Sequence, residues 1–343
     1  MLIAENISTG KLVSANLGQK SVRYRCPGCQ HLVQLRHGAI RQPYFAHERF
    51  AHCETFSEGE TGEHLLGKQQ LAQWLSQQGN QVVLEQKLTA LHQRPDLLIN
   101  GKVAVEFQCS PIGLQRLSER VNGYRQHGLQ QLWLLGAPYL PKQRLVLTKV
   151  GKFLRWQKRG EMCLLFWDTK RQLLLLLHHL GQAGLLPIRY EQITFSSWQD
   201  WQQWRQSVES GCSVCVTSAQ AKHQQQSIAF GLHHRQPNFL RWQAQCYLSG
   251  TNLMQLPQWV LGDVFETPIS SNSPLDWRVP LYLWWRKHPL ATARQCQFAW
   301  TRIGLPQIKW LPNMVLSDMN VQKRITTRLF QNFFNATHLN RLL

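Results

Sequence analysis

The chain has 343 residues, 43% of them hydrophobic and 17% charged, with 38 Lys plus Arg against 19 Asp plus Glu and a formal charge of +19. That length and apolar content exclude a disordered tail and allow two or three folded domains, while the positive excess points to a polyanionic partner, nucleic acid foremost. The longest apolar run, Leu173 to Leu177, is too short to cross a bilayer, so no membrane association is expected.

No charged-then-apolar leader stands at the N-terminus, and a cytoplasmic location is expected. In that reducing setting the nine cysteines read as metal ligands or buried thiols, not as a disulfide framework. Charge is uneven along the chain. Residues 151–343 hold 21 basic and 9 acidic side chains, which is +12 of the +19.

Residues 1–56 alternate short apolar and polar runs around "CPGC" and read as a small β-rich module. A C-x2-C pair on a Pro-Gly turn presents two thiolates on one side of a tetrahedron, and a His and a Cys downstream can close it. Cys26, Cys29, His47 and Cys53 are therefore the expected ligands of a structural Zn²⁺, with His52 as an alternative for either of the last two. A second pair, Cys212 and Cys215, lacks familiar downstream spacing and reads as ordinary thiols.

Residues 57–150 follow a polar break. Leu65, Leu66, Leu71, Ala72, Trp74 and Leu75 suit one face of a helix over Glu63–Gln78. "QVVLEQKL", "RPDLLI" and "KVAVEFQ" read as three strands. Ser110-Pro111 predicts a helix N-cap followed by Pro at the first position. Leu114, Leu117, Val121 and Tyr124 then form a stripe, Gly128 ends the helix and "LQQLWLLG" is a fourth strand. The order is helix, three strands, helix, strand.

The central hairpin places acids where apolar residues are expected. Side chains alternate along a strand, so Val103, Val105 and Phe107 point one way and Ala104, Glu106 and Gln108 the other. If Leu97 and Ile99 share the first set's core, Asp96 joins Glu106 and Gln108. A two-residue "NG" turn would put Asp96 on the apolar face, because a slip of one residue exchanges the faces. The sequence therefore predicts a three-residue loop with Gly101 left-handed and a bulge. Two carboxylates on one face repel unless a cation joins them, and hard oxygen donors suit Mg²⁺ or Mn²⁺.

P-D on one strand and E-x-Q on the next, after an acidic helix start, resembles the PD-(D/E)XK nuclease core with its αβββαβ order. The longer string "CPGC", "YFAH", "EHLLGK", "QRPDLL", "VEFQCSPI", "ERVNGY" and "LWLLG" is similar to the CoiA competence-protein family over about residues 1–140. The resemblance implies a Mg²⁺- or Mn²⁺-dependent endodeoxyribonuclease acting on DNA during natural transformation, at the recombination stage. It implies Asp96 and Glu106 as metal ligands, completed by the backbone carbonyl of Phe107, and Glu63 as the helix acid, with Glu60 its rival. The family's signature lysine is Gln108 here, and an amide is no general base.

Lys68, one turn after His64, is a candidate for the missing positive charge, against a merely solvated helix face. Arg120 and Tyr124, one turn apart, are candidates for phosphate contact, with a core role as the alternative for Tyr124. Residues 151–343 are expected to be a mainly helical, basic region that contacts DNA or other proteins. "LRWQKR" and "LWWRKHP" set cations beside flat rings, as single-strand binding requires. The expected partners are single-stranded, duplex or branched DNA and recombination proteins. The alternative reading is a non-catalytic DNA-binding accessory protein that keeps the nuclease fold as a scaffold.

Overall fold

The computed structural model describes residues 1–38, 42–47, 61–88, 93–156, 162–207, 214–312 and 319–339. The chain divides into two compact units. The first comprises 1–140, 164–176 and 192–207; the second comprises 141–163, 177–191 and 208–343.

The first unit opens with a five-stranded antiparallel sheet, order β2-β1-β3-β4-β5. Its strands are β1 (Ile3–Asn6), β2 (Leu12–Ser14), β3 (Tyr24–Arg25), β4 (Leu32–Arg36) and β5 (Tyr44–His47). Inward residues Ala4, Tyr24, Cys26, Val33 and Phe45 share its core, the β-rich module that the alternation predicts.

A further sheet carries the order β13-β12-β11-β9-β8-β7-β6. Its strands are β6 (Val82–Leu84), β7 (Leu97–Ile99), β8 (Val103–Gln108), β9 (Gln130–Leu135), β11 (Met162–Asp168), β12 (Leu173–Gly181) and β13 (Arg189–Phe195), with β10 (Arg155–Trp156) paired to the start of β11. Helix α1 (Gly62–Ser76) precedes β6, and α2 (Leu114–Gln126) links β8 to β9. The expected αβββαβ order is thus present, with β8 and β9 parallel and β6, β7 and β8 antiparallel.

The hairpin register decides what β8 presents. Leu97 pairs with Val105 and Ile99 with Val103, so the loop is Asn100-Gly101-Lys102, three residues as the face argument requires. Asn100 (φ 50°) and Gly101 (φ 64°) are both left-handed, as the Asn-Gly signal favours. The Lys102 N–H nevertheless donates back to the Ile99 carbonyl, so Lys102 and Val103 both stand against Ile99.

Both faces of β8 are covered. Phe107 packs toward α1, where Gly67 leaves room: a Cβ there would lie 2.1 Å from the Phe107 ring. The other face meets α2 through Tyr124, which is fully buried. On its outer side α1 meets later chain segments of the same unit. The Trp74 indole donates to Ser196 O at 2.7 Å and its ring lies 5.3 Å from that of Trp167. Helix α4 (Trp198–Gln206) follows β13 here.

Helix α2 begins later than the Ser110-Pro111 signal predicts, with Gly113 as its N-cap. The Ser110 carbonyl accepts from Gln108 Nε2 at 2.7 Å and from Tyr139 Oη at 2.6 Å, which holds residues 110–113 as an extended connector.

The second unit contains α3 (Leu147–Val150), α5 (Ser218–His233), α6 (Pro237–Tyr247), α7 (Gln258–Leu261), α8 (Leu275–Lys287), α9 (Ala293–Ala299) and α10 (Met319–Leu339), so the chain is mainly helical from Ser218 onward, whereas the start of the expected helical region, within residues 155–195, forms β10–β13. Its core includes Trp242, Trp259, Trp277 and Trp300, all buried. One ion pair is buried with them, Arg278 to Glu266 at 2.7 Å, and the buried Asp276 meets the exposed Arg241 at 2.5 Å. Among the described residues no helix is long and apolar enough to cross a membrane.

Gly67→Ala tests the α1–β8 contact. Helix propensity alone would favour Ala by about 1 kcal/mol, but overpacking costs about 1–3 kcal/mol. Denaturant unfolding is expected to show a net loss that Phe107→Leu in the same chain partly restores. A stabilised Gly67→Ala protein would contradict the close approach.

Candidate active site and metal cluster

Asp96 sits at a bend immediately before β7, opposite Glu106 when the register of Leu97 with Val105 is continued by one pair. Leaving the regular strand frees its carboxylate to turn. Asp96 Oδ2 accepts from the Phe107 N–H at 2.8 Å and lies 3.0 Å from His64 Nε2. Lys68 Nζ is 3.7 Å from Oδ1. His64 and Lys68 both come from α1, one turn apart. Although burial opposes it, His64 and Lys68 hold Asp96 well below the usual carboxylate range.

Glu106, 2% exposed, faces α2 instead. Its Oε1 accepts from Arg120 at 2.5 Å and from the Tyr124 hydroxyl. Arg120 also donates to the Arg94 carbonyl at 3.1 Å. Burial pushes the Glu106 carboxyl up to about 7; Arg120 opposes that shift and Asp96 adds to it. Arg120 keeps its charge throughout: burial works against it, but Glu106, Tyr124 and Asp96 together raise it above its ordinary value. Glu106 is therefore the partner that titrates. The expected trio of Asp96, Glu106 and Gln108 shares a register but not its partners: Asp96 meets α1, Glu106 meets α2, and Gln108 turns its amide to Ser110.

Lys68 is completely buried. It donates to Glu85 Oε1 at 2.5 Å, so it belongs to an internal network and not to a solvated helix face. Glu85, left-handed at φ 53°, also accepts from the Leu2 and Ile3 N–H groups at 3.1 Å and lies 3.3 Å from Arg94. Sequence reasoning missed Glu85 and Arg94. The signal that marked Glu106, a lone charge inside an apolar run, was present in "VVLEQ" as well. Three carboxylates (Glu85, Asp96, Glu106) thus stand with three fixed cations (Lys68, Arg94, Arg120). Glu63 accepts from the Ala137 N–H at 2.7 Å, next to the end of β9.

The donor chemistry of Asp96 and Glu106 fits a hard divalent ion: two carboxylates on neighbouring strands, close enough for each charge to be felt by the other. Each is already held by a fixed cation, Asp96 by Lys68 and Glu106 by Arg120.

In the N-terminal module, Cys26, Cys29 and His47 offer ligand atoms that all lie within 4.8 Å of one another. Cys29 Sγ is 3.2 Å from His47 Nε2, and the Gly28 N–H donates to Cys26 Sγ at 3.3 Å; burial pushes the Cys26 thiol up, and this amide contact works against that rise. The cluster is compatible with a metal. Cys53, His52, Glu60 and Cys212 lie outside the described residues, as do residues 157–159 of "LRWQKR".

A family model described as the nuclease-like domain of competence protein CoiA matches residues 60–206, and one described as the CoiA N-terminal domain matches residues 9–56. A competence protein CoiA of Bacillus subtilis (strain 168) is 32% identical over 151 residues, covering 43% of this chain and 40% of that protein. The chain thus spans under half the length of that curated relative. No solved structure matches.

The Glu106 shift has a stability consequence. Its folded value, about 7, stands above its ordinary 4.5. The folded state therefore binds the extra proton between those values, and its stability falls as pH rises from about 4.5 to about 7. The size is on the order of 3 kcal/mol. Thermal unfolding of Glu106→Gln is expected to lack that decline relative to the unsubstituted chain. A difference between the two that is constant across this window would contradict it.

Proposed function

Because residues 9–206 belong to the CoiA competence-protein family, we propose that this chain processes DNA during natural transformation as a divalent-metal-dependent nuclease centred on Asp96 and Glu106. The observation that carries this reading is the pair itself: Glu106, buried on β8, and Asp96, half-buried just before β7, flanked by Arg120, His64 and Lys68. Mg²⁺ or Mn²⁺ held by Asp96, Glu106 and the Phe107 carbonyl would lower the pKa of bound water and stabilise charge on a phosphate. A DNA phosphate entering the site gives Arg120 a second anionic partner, which frees Glu106. Asp96 remains oriented by the Phe107 N–H and His64. Gln108 cannot act as a base and orients by hydrogen bonding alone. The net positive charge, most of it in residues 151–343, supports DNA binding outside the carboxylate pair.

One observation favours a second reading. The carboxylates are already neutralised by fixed cations, and the signature lysine is Gln108. A non-catalytic DNA-binding accessory protein would keep the same fold. Cleavage of single-stranded, duplex and branched DNA with Mg²⁺ or Mn²⁺ separates the two. Asp96→Ala and Glu106→Ala are each expected to lower cleavage on the order of 100-fold or more while DNA binding survives. Cleavage unchanged in both variants would place activity elsewhere. Absence of cleavage of any DNA by the unsubstituted chain would establish the scaffold reading.

The cysteine cluster is assigned a structural Zn²⁺, because soft thiolates with an imidazole suit that ion. Metal analysis is expected to find it bound to Cys26, Cys29 and His47. Cys26→Ser should lose it and destabilise the module. A chain that is metal-free at full stability would overturn the assignment.

A further inference from the structure

The sequence "LLLLLHHLG" ends β12 with two adjacent histidines that neither the nuclease site nor the cysteine cluster uses. In a regular strand neighbouring side chains point to opposite faces. Here His179 adopts φ 48°, a left-handed conformation that costs a non-glycine residue about 1–2 kcal/mol. The reversal brings the rings of His178 and His179 to the same side, with centroids 4.5 Å apart and planes at 46°. Glu191, on β13, joins them. Its Oε2 lies 3.1 Å from His179 Nδ1, while its Oε1 accepts from Arg189 at 3.1 Å, so one carboxylate oxygen is oriented by arginine and the other by the His179 imidazole. The His179 hydrogen bond leads the effects that keep Glu191 below the usual carboxylate range.

One ligand atom from each of the three lies within 4.8 Å of the other two. Ligands of a tetrahedral zinc ion stand about 3.4 Å apart, so small rotations complete the arrangement. His178 is 3% exposed, whereas the His179 and Glu191 side chains are 30% and 44% exposed, which gives an ion access from solvent.

We propose that His178, His179 and Glu191 form a second metal site that takes a divalent transition metal of the zinc or cobalt type. Two imidazoles select such an ion over Mg²⁺. Three protein ligands leave a coordination position for water or an exogenous ligand, unlike a closed four-ligand site. The strained backbone at His179 is explained by this: it is the conformation that lets adjacent residues ligate one ion.

Co²⁺ titration of the full chain in the Cys26→Ser background isolates the site from the cysteine cluster, and the signal is read with no thiolate band expected. With Mg²⁺ in excess to fill the carboxylate pair of Asp96 and Glu106, one equivalent of Co²⁺ is expected to bind with d–d absorption alone. Glu191→Gln and His179→Gly should each weaken it at least ten-fold. Glycine accepts φ 48° without strain, so His179→Gly should keep the unloaded fold, checked by circular dichroism. Glu191→Gln alters an exposed side chain and serves as the second variant. Failure to bind Co²⁺, or an affinity that neither substitution lowers, would overturn the proposal.

Discussion

The contact between Lys68 of α1 and Glu85, 2.5 Å apart and sealed from water, is what the first unit is arranged around. A lysine ammonium and a carboxylate cannot be buried separately, because each would carry several kcal/mol of lost hydration. Placed together they fix the rotation of α1 on the sheet. Glu85 takes the N–H groups of Leu2 and Ile3, which docks the first strand of the N-terminal module. Lys68 reaches on to Asp96, and Arg94 closes the other side of Glu85. Arg120 and Tyr124 do for α2 what Lys68 does for α1, through Glu106. The two helices on either face of the sheet are thus each keyed to a carboxylate borne by it. A buried pair adds little net stability over apolar residues of the same size, but losing one partner is costly, so such pairs select one arrangement of elements.

Part of this was legible in the sequence. Period-2 alternation fixed which residues of β7 and β8 could share a face, and that in turn excluded a two-residue turn at Asn100-Gly101. Glu106 stood out because nothing else polar shares its run except Gln108. Lys68 was harder. Its spacing from His64 is that of a solvated helix face, and only the tertiary structure shows that this side of α1 is turned inward, while Trp74 and Gln70 on another side meet Ser196 and Trp167. Those partners lie about a hundred residues later in the chain, beyond any local pattern. Glu85 was hidden by its left-handed backbone, which no spacing rule reveals for a glutamate. Ser110 carried a good N-cap signal, yet its carbonyl is claimed by Gln108 and Tyr139, and the helix waits for Gly113.

The tryptophans of the C-terminal region show where composition stops being informative. The same residue type serves as base platform and as core. In "LWWRKHP" Trp285 sits 5.7 Å from the buried Trp259, whereas Trp284 stacks on His288 at 4.8 Å. Burial of Trp242 beside Asp276, to which its indole donates at 2.8 Å, shows the core use plainly. A continuous run such as Leu173–Leu177 has no period to distinguish helix from strand, and it forms the interior of β12.

A double-mutant cycle on Lys68→Met and Glu85→Gln tests most directly whether a buried ion contact orders the first unit. Each single change is expected to cost about 3–5 kcal/mol in denaturant unfolding, because it leaves the partner charge buried and unmatched. The double variant should cost several kcal/mol less than their sum. Additivity of the two changes to within about 0.5 kcal/mol would contradict it.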